Sequence, residues 1–266
     1  MNGKAAAIIL AAIISISFVS CGRTKTATND SVSAPETSAA QDTTVAAEIP
    51  SESGVMTHAE FIDAEISSAV TIETYVQAKQ IWWEGSASIY TQAKDGAYFI
   101  YQFVCTDEEY EALTPGTKIR VTGTKAELDD EIVITDATLE VLDGSYIAEA
   151  TDVTSLVDKS ELADHQNEFV SFKGMTVVPS TDNDGYEAPF LYKWDGTGVR
   201  GDDLCFNVFM NGETLTFTVK SDLCGADTEV YKAAEALSIG DVIDLEGFLY
   251  WDNGVNLHVT QITHLK

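Results

Sequence analysis

Two segments of the chain repeat one pattern: a leucine, a glycine three residues later, alternating apolar residues and a second glycine. They span residues 113–123 and 237–247. The earlier glycines, Gly116 and Gly240, permit the positive φ of a tight turn, and the alternation that follows is typical of a strand with one buried face. The final glycine of each segment predicts a sharp bend in that strand. The repeat therefore predicts a mainly β chain in which one unit is used twice.

The first twenty residues have the composition of a signal peptide. They contain one lysine, Lys4, and then an apolar run that starts at Ala5. A run of about 15 residues is short for a transmembrane helix, which needs roughly 20; a plain secretory signal or a single membrane anchor are the alternatives. The sequence Phe-Val-Ser-Cys-Gly at 18–22 resembles the lipobox of bacterial lipoproteins. This resemblance implies that Cys21 is acylated and anchors the protein to the extracellular face of a bacterial cell membrane.

Residues 21–55 are rich in threonine, serine, alanine and acidic residues and have almost no large apolar side chains. Such a composition does not bury enough apolar surface to offset the entropy lost on ordering. The segment is therefore predicted to be a disordered tether between the lipid anchor and the folded part of the chain.

The chain is strongly acidic, with 43 Asp and Glu residues against 15 Lys and Arg and a net charge of -28. A surface of this kind repels phosphate backbones and anionic lipid headgroups. We therefore expect nucleic acid to be a disfavoured partner and an extracellular glycan, peptide or protein to be the ligand. The alternative explanation is that most of the carboxylates only keep the protein soluble.

Three cysteines remain outside the lipidation motif, Cys105, Cys205 and Cys224, so at most one disulfide can form among them. The Asn-Gly pair at 211–212 is typical of a two-residue hairpin turn. Its register places Cys205 opposite Thr218 and not opposite Cys224. Buried free thiols are therefore the expectation.

The region 56–145 is predicted to form one five-stranded barrel. A capping box at 57–60 opens a leading helix, and a second short helix separates the third and fourth strands. The predicted strands are 70–83, 87–92, 97–104, 117–125 and 131–141, and the second helix is 107–113.

The region 146–266 is predicted to repeat this order. Its helices are predicted at 152–163 and 226–237, and its strands at 168–178, 204–210, 214–220, 241–251 and 255–264. A long bent first strand and a helix between the third and fourth strands resemble the OB-fold. The chain also resembles uncharacterised secreted bacterial lipoproteins with tandem OB-fold domains, some relatives of which are labelled nucleic-acid binding. We therefore expect two tandem OB-fold-like barrels.

One insertion distinguishes the second barrel, the loop 180–203 between its first and second strands. Its residues Asp182, Asp184 and Glu187 surround a glycine turn and offer the oxygen ligands that calcium prefers. An ordinary Asp/Asn/Gly turn is the alternative explanation. No other cofactor is predicted.

Aromatic residues lie near the loops that OB-folds use to bind ligands. Their rings offer stacking surfaces for sugars, bases or peptide side chains. Packing in the core or between domains is the alternative, and alternation predicts that one of the two adjacent tryptophans is core. The predicted ligand-binding residues are Trp82, Trp83, Tyr192, Trp194, Tyr250 and Trp251.

The sequence offers little support for catalysis, because the four histidines fit no nucleophile or metal motif. A dispersed carboxylate pair of the glycosidase kind stays open. The prediction is a non-catalytic binding or adaptor protein that uses OB-fold loops and aromatic residues to bind a glycan, peptide or protein. The alternative is binding of single-stranded nucleic acid by the first barrel.

Overall fold

The computed structural model describes residues 54–265. The predicted signal peptide at 1–20, the lipid site at Cys21 and all but the end of the predicted tether lie outside the described residues. No helix within 54–265 has the length and hydropathy needed to cross a bilayer. The domain limits 56–145 and 146–266 stay predictions.

Five strands of the first half close into a barrel with the order β1-β2-β3-β5-β4. All neighbours are antiparallel except β3 and β5, which pair in parallel. A short helix leads into the barrel and another separates β3 from β4, as predicted. The bounds are α1 (His58–Asp63), β1 (Ala69–Lys79), β2 (Ser86–Gln92), β3 (Ala97–Val104), α2 (Asp107–Ala112), β4 (Thr117–Leu128) and β5 (Glu131–Ser145).

Five strands of the second half form a ring of the same order, again with one parallel contact, between the third and fifth strands. This confirms the predicted pair of OB-fold-like barrels. Additional short strands pair either with this sheet or with each other inside the insertion. The bounds are β6 (Thr151–Asp152), β7 (Phe169–Val178), β8 (Ser180–Thr181), β9 (Glu187–Ala188), β10 (Leu191–Tyr192), β11 (Leu204–Met210), β12 (Glu213–Val219), α3 (Glu229–Glu235), β13 (Val242–Trp251) and β14 (Val255–His264).

The helix α1 begins with the predicted capping box. The Thr57 hydroxyl accepts a hydrogen bond from the Glu60 amide at 3.2 Å, and the Glu60 carboxylate accepts one from the Thr57 amide at 2.7 Å. The helix α2 uses the same device at Thr106 and Glu109. Each box satisfies amide groups at a helix start that have no partner within the helix.

Two predicted elements differ in the structure. The segment 152–163 is not an α-helix: β6 is followed by two 3-10 turns, Thr154–Leu156 and Ser160–His165. The reason is that β7 holds the start of the segment: β6 pairs with it, and the Val153 amide donates to the Ser171 carbonyl at 3.1 Å. The backbone hydrogen bonds that follow span three residues, as from the Leu156 amide to the Val153 carbonyl.

The first strand also ends earlier than predicted, at Lys79. Beyond it, the Ile81 amide donates a hydrogen bond to the Asp222 carbonyl at 2.7 Å. At Ile81 a hydrogen bond to the second barrel thus takes the place of strand pairing, while Gln80 and Trp83 on either side still bind β2.

Both glycines predicted to bend a strand lie at irregularities in strand pairing. The register of β4 shifts between Thr122 and Thr124, on either side of Gly123, and that of β13 shifts between Glu246 and Gly247. A Cβ on Gly247 would lie 2.3 Å from the His258 carbonyl oxygen, so only glycine fits there without movement. The turn glycines, Gly116 and Gly240, have φ of 90° and 95°, as predicted.

The insertion 180–203 folds back on the second barrel. Its strands β8 and β9 pair with each other, and β10 pairs with β11. The hairpin register places Cys205 opposite Thr218, as predicted. All three cysteines of the described residues, Cys105, Cys205 and Cys224, are buried and free.

Replacing Gly247 with alanine is expected to lower the free energy of unfolding by about 1–3 kcal/mol, because the new methyl group would overlap the backbone of β14. Urea denaturation measures the change. Gly225→Ala is the matched control, since the nearest atom to a Cβ there is 3.7 Å away. Equal stability of the two variants would contradict the close approach.

Candidate binding cleft

An aromatic cluster outside either barrel core joins the two barrels. Tyr90 of β2 stacks on Phe248 of β13 with ring centres 4.4 Å apart and an angle of 19°. Phe99 of β3 meets Tyr250 edge-on at 5.5 Å. Both Tyr90 and Phe99 are buried. The second barrel thus covers part of the outer β2–β3 surface, which is the surface with which OB-folds bind ligands.

A buried hydrogen-bond chain accompanies these rings. The Tyr90 hydroxyl accepts from Gln80 Nε2 at 3.0 Å and lies 2.7 Å from His258 Nδ1. Burial lowers the pKa of His258 to about 3, so the ring is neutral. Because Gln80 donates to the Tyr90 oxygen, we assign the tautomer protonated at Nε2, in which Nδ1 accepts a hydrogen bond from the Tyr90 hydroxyl. Burial also raises the pKa of Tyr90 well above its usual value. The chain therefore joins the barrels through uncharged groups.

The corresponding surface of the second barrel is open, and it forms the floor of a cleft of about 1280 Å³ between the barrels. Thr214, Thr216 and Thr218 of β12 lie on this floor. The insertion, the β13–β14 turn and β3 of the first barrel form its walls. We call this space the interbarrel cleft; its aromatic wall residues are Tyr101, Trp194, Tyr250 and Trp251.

Three of the six predicted ligand-binding residues line the interbarrel cleft. Trp194 lies on the insertion with 77% of its surface exposed. Tyr250 stacks on His258 with ring centres 4.3 Å apart. The next residue is Trp251, whose backbone amide donates a hydrogen bond to the Glu131 carboxyl of the first barrel at 2.7 Å. The structure therefore brings together aromatic rings from the insertion and from the end of β13 in the second barrel.

The other three predicted residues do not line the cleft. Trp82 packs against the core of the first barrel, and its indole donates a hydrogen bond to the Cys105 carbonyl at 3.0 Å. Its neighbour Trp83 is 68% exposed, so the two face different environments as alternation predicts. The Tyr192 hydroxyl donates to Glu235 at 2.6 Å, and this carboxylate, with partial burial, raises the pKa of Tyr192 to about 12.

Both lysines that line the cleft are paired with aspartates. Lys220 binds Asp203, whose other oxygen accepts hydrogen bonds from the amide and hydroxyl of Ser221. Lys193 lies 3.6 Å from Asp202. The lining is acidic overall, because its aspartates outnumber its lysines; they are Asp129, Asp202, Asp203, Asp222 and Asp252.

Two of these aspartates have pKa values displaced in opposite directions. Burial raises the pKa of Asp222. Burial opposes ionisation of Asp203 as well, but the Lys220 charge and hydrogen bonds from Lys220 and Ser221 outweigh it and lower the pKa of Asp203. Both Asp203 oxygens are engaged, and Asp222 Oδ1 is shielded from solvent.

The predicted calcium ligands lie on the β8–β9 turn. Asp182 Oδ1 accepts hydrogen bonds from the amides of Asp184 and Tyr186 at 3.0 and 2.9 Å, which is the arrangement of an ordinary Asx turn. Within residues 54–265 no group of three or more His, Cys, Asp or Glu side chains is placed to hold a metal ion. Calcium binding at Asp182, Asp184 and Glu187 stays a prediction.

Sequence reasoning did not identify several cleft residues. Tyr101 and Phe99 lie on the predicted strand 97–104, but the pattern of that strand does not show that the second barrel lies against it. His258 lies between the apolar residues Leu257 and Val259, so alternation turns it away from them. This outward position of a polar aromatic residue was the available signal.

The chain matches no family model and no curated protein. Solved structures similar to it include a murine DNA-binding protein bound to double-stranded DNA, with 8% identity, 74% of this chain and 96% of that chain covered, and a TM-score of 0.35. The Ifi202 HINa domain in complex with 20-bp double-stranded DNA has 11% identity, 75% and 100% coverage, and a TM-score of 0.33. A replication protein A heterotrimer bound to single-stranded DNA has 11% identity, 74% and 49% coverage, and a TM-score of 0.29. These values assign no family.

Because these similar structures contain DNA, the prediction that nucleic acid is a disfavoured partner was wrong. That prediction rested on the summed charge of the whole chain. Summed charge does not tell where carboxylates lie relative to a site, and bases bind by stacking of uncharged rings as well as through their phosphates.

Replacing Tyr90 with phenylalanine is expected to lower the free energy of unfolding by about 1–3 kcal/mol, because it leaves the buried Nδ1 of His258 without a donor. Chemical denaturation measures the loss. Tyr186→Phe is the control, since Tyr186 is 73% exposed. An unchanged stability of Tyr90→Phe would show that this bond does not hold the barrels together.

Proposed function

We propose that the protein is a non-catalytic binding protein that holds single-stranded nucleic acid in the interbarrel cleft. The observation that carries the proposal is the convergence, in one open cleft, of the β11–β12 surface, the insertion and the β13–β14 turn of the second barrel. These are the parts of an OB-fold that bind oligomeric ligands. The predicted alternative named the first barrel; its β2–β3 surface is partly covered, so the proposal uses the second.

The aromatic walls support bases as the bound groups. Trp194 is exposed, and Tyr250 is held by its stacking on His258. Stacking of a base on an aromatic side chain is worth about 1–3 kcal/mol and tolerates every base. The cleft volume of about 1280 Å³ is sufficient for several such rings.

The charges of the cleft favour one orientation of the bound nucleic acid. Both lysines are engaged by aspartates, and Asp222 and Asp252 add further negative charge. Phosphates are therefore expected to face solvent while the bases enter between the aromatic walls. Carboxylates at the wall accept hydrogen bonds from base N–H groups, including the ring N–H of thymine.

The absence of catalysis is part of the proposal. The Asp203 carboxylate accepts three hydrogen bonds, one from Lys220 and two from Ser221, which occupy most of the roughly four acceptor sites of a carboxylate. Asp222 Oδ1 is shielded from solvent. These contacts favour a structural role for the pair over an acid and base role.

Replacing Trp194 with alanine is expected to weaken binding of a fluorescent oligothymidylate of roughly 16 nucleotides by about 1–3 kcal/mol, because one stacking surface is lost. Fluorescence anisotropy measures the affinity. Trp83→Ala is the matched control: Trp83 is also exposed, but it lies outside the cleft. The control is expected to bind like the wild type.

Three outcomes would contradict the proposal. The first is that the wild type binds no oligonucleotide. The second is that Trp194→Ala binds it as tightly as the wild type, and the third is that both tryptophan variants lose affinity equally. Binding of a neutral oligosaccharide in place of the oligonucleotide would assign the cleft to a glycan.

We also propose that the binding domains are tethered outside a bacterial cell by a lipid on Cys21. Replacing Cys21 with alanine is expected to move the protein from the membrane fraction to the medium, because the acyl chains supply the membrane affinity. Immunoblotting of the two fractions measures the shift, and intact-mass analysis of the wild type detects the lipid. Retention of Cys21→Ala in the membrane, with no added mass on the wild type, would contradict this anchor.

A further inference from the structure

The junction between the barrels contains a carboxyl group that has no counter-ion. Glu131 begins β5 of the first barrel and is fully buried. Its Oε2 accepts hydrogen bonds from the Trp251 amide at 2.7 Å and from Gln166 Nε2 at 3.1 Å. No ion pair among residues 54–265 includes it. A buried carboxylate without a positive partner is strongly disfavoured.

Two buried acceptor atoms of this junction have no hydrogen-bond partner in the described part of the chain: Glu131 Oε1 and Asn167 Oδ1. The Asn167 side chain lies within hydrogen-bonding reach of the Glu131 carboxyl, while its Nδ2 donates to the Ile132 carbonyl at 3.0 Å. One proton on Oε1 would let Glu131 donate to Asn167 Oδ1 and satisfy both atoms. Among residues 54–265 no other group donates a hydrogen bond to either atom.

We propose that protonated Glu131 is a positioning residue of the interbarrel cleft, which it maintains by donating a hydrogen bond to Asn167 while accepting one from the Trp251 amide. Trp251 lines the cleft, so the proton holds a cleft wall of the second barrel against the first. Loss of the proton places an uncompensated charge in the junction and loosens that wall. The effect on ligand rests on the proposed function; the protonation itself does not.

The surroundings of Glu131 favour the neutral form. Burial raises the pKa of Glu131 to about 8, although hydrogen bonds from the Trp251 amide and Gln166 and the nearness of the Asn167 side-chain amide act in the opposite direction. The nearby titratable groups are acidic, uncharged at neutral pH or paired with each other. They are Asp129 and Asp130 on the preceding turn, Tyr250 and Asp252 beside Trp251, and the His165–Glu168 pair on either side of Gln166 and Asn167.

The pH dependence of stability follows from this proton. In the unfolded chain Glu131 has its ordinary pKa of 4.5. Between about pH 5 and about pH 8 the folded state therefore binds one proton more than the unfolded state, and stability falls as the pH rises. The contribution is fully present below pH 4.5 and is lost once the pH passes the folded-state value.

The test compares the wild type with Glu131→Gln, whose amide donates to Asn167 and whose carbonyl accepts from Trp251 at every pH. The melting temperature of Glu131→Gln is expected to exceed that of the wild type by a margin that grows by about 3–5 °C per pH unit from pH 5 to pH 8. The carboxyl carbon of Glu131 is expected to titrate near pH 8 in ¹³C NMR. Glu127→Gln, an exposed site on the neighbouring strand, is the control and is expected to follow the wild-type profile.

A third measurement addresses the cleft. Oligothymidylate affinity of the wild type is expected to fall as the pH rises through 8, while that of Glu131→Gln stays level. A carboxyl titration near pH 4.5, or a constant difference in melting temperature, would overturn the proton on Glu131. Affinities that change equally in both proteins would overturn its link to the cleft. If neither protein binds oligonucleotide, the proposed function fails, and the NMR and melting data still decide the state of Glu131.

Discussion

The stacking of Tyr90 on Phe248 is the contact on which the rest of the structure depends. It lies between two barrels that each have a complete core, so it decides how they are arranged and not whether they fold. Aromatic pairs in this geometry contribute beyond the area they bury. Because the contact uses the β2–β3 surface of the first barrel, the corresponding surface of the second barrel is left open beside it.

The two barrels therefore have different roles although they share one topology. The first barrel supplies one wall through Tyr101. It also holds Trp251 through the buried carboxyl of Glu131, which lies behind the cleft lining. The second supplies the threonine floor, the insertion with Trp194 and the turn after Trp251. A duplicated fold thus gives one cleft, and the insertion found only in the second copy contributes the most exposed aromatic ring of that cleft.

The strand order, both turn glycines and the Cys205 register could be predicted because each follows from local chemistry. A positive φ, an alternating apolar pattern and an Asn-Gly turn each depend on only a few neighbouring residues. The helix predicted at 152–163 was wrong because the start of this segment pairs with β7, a contact between chain segments that local sequence does not reveal. The junction was not predictable, since Tyr90 and His258 are 168 positions apart and neither local pattern indicates the other. Half of the predicted aromatic site residues therefore lie outside the cleft.

The most direct measurement of the central claim uses the four tryptophans as reporters in one spectrum. In ¹⁵N NMR, addition of an oligothymidylate is predicted to shift the indole signals of Trp194 and Trp251, which line the interbarrel cleft. The signals of Trp82 and Trp83 are predicted to stay in place. Shifts confined to Trp82 and Trp83, or no shift at any indole at saturating oligonucleotide, would contradict binding in the cleft.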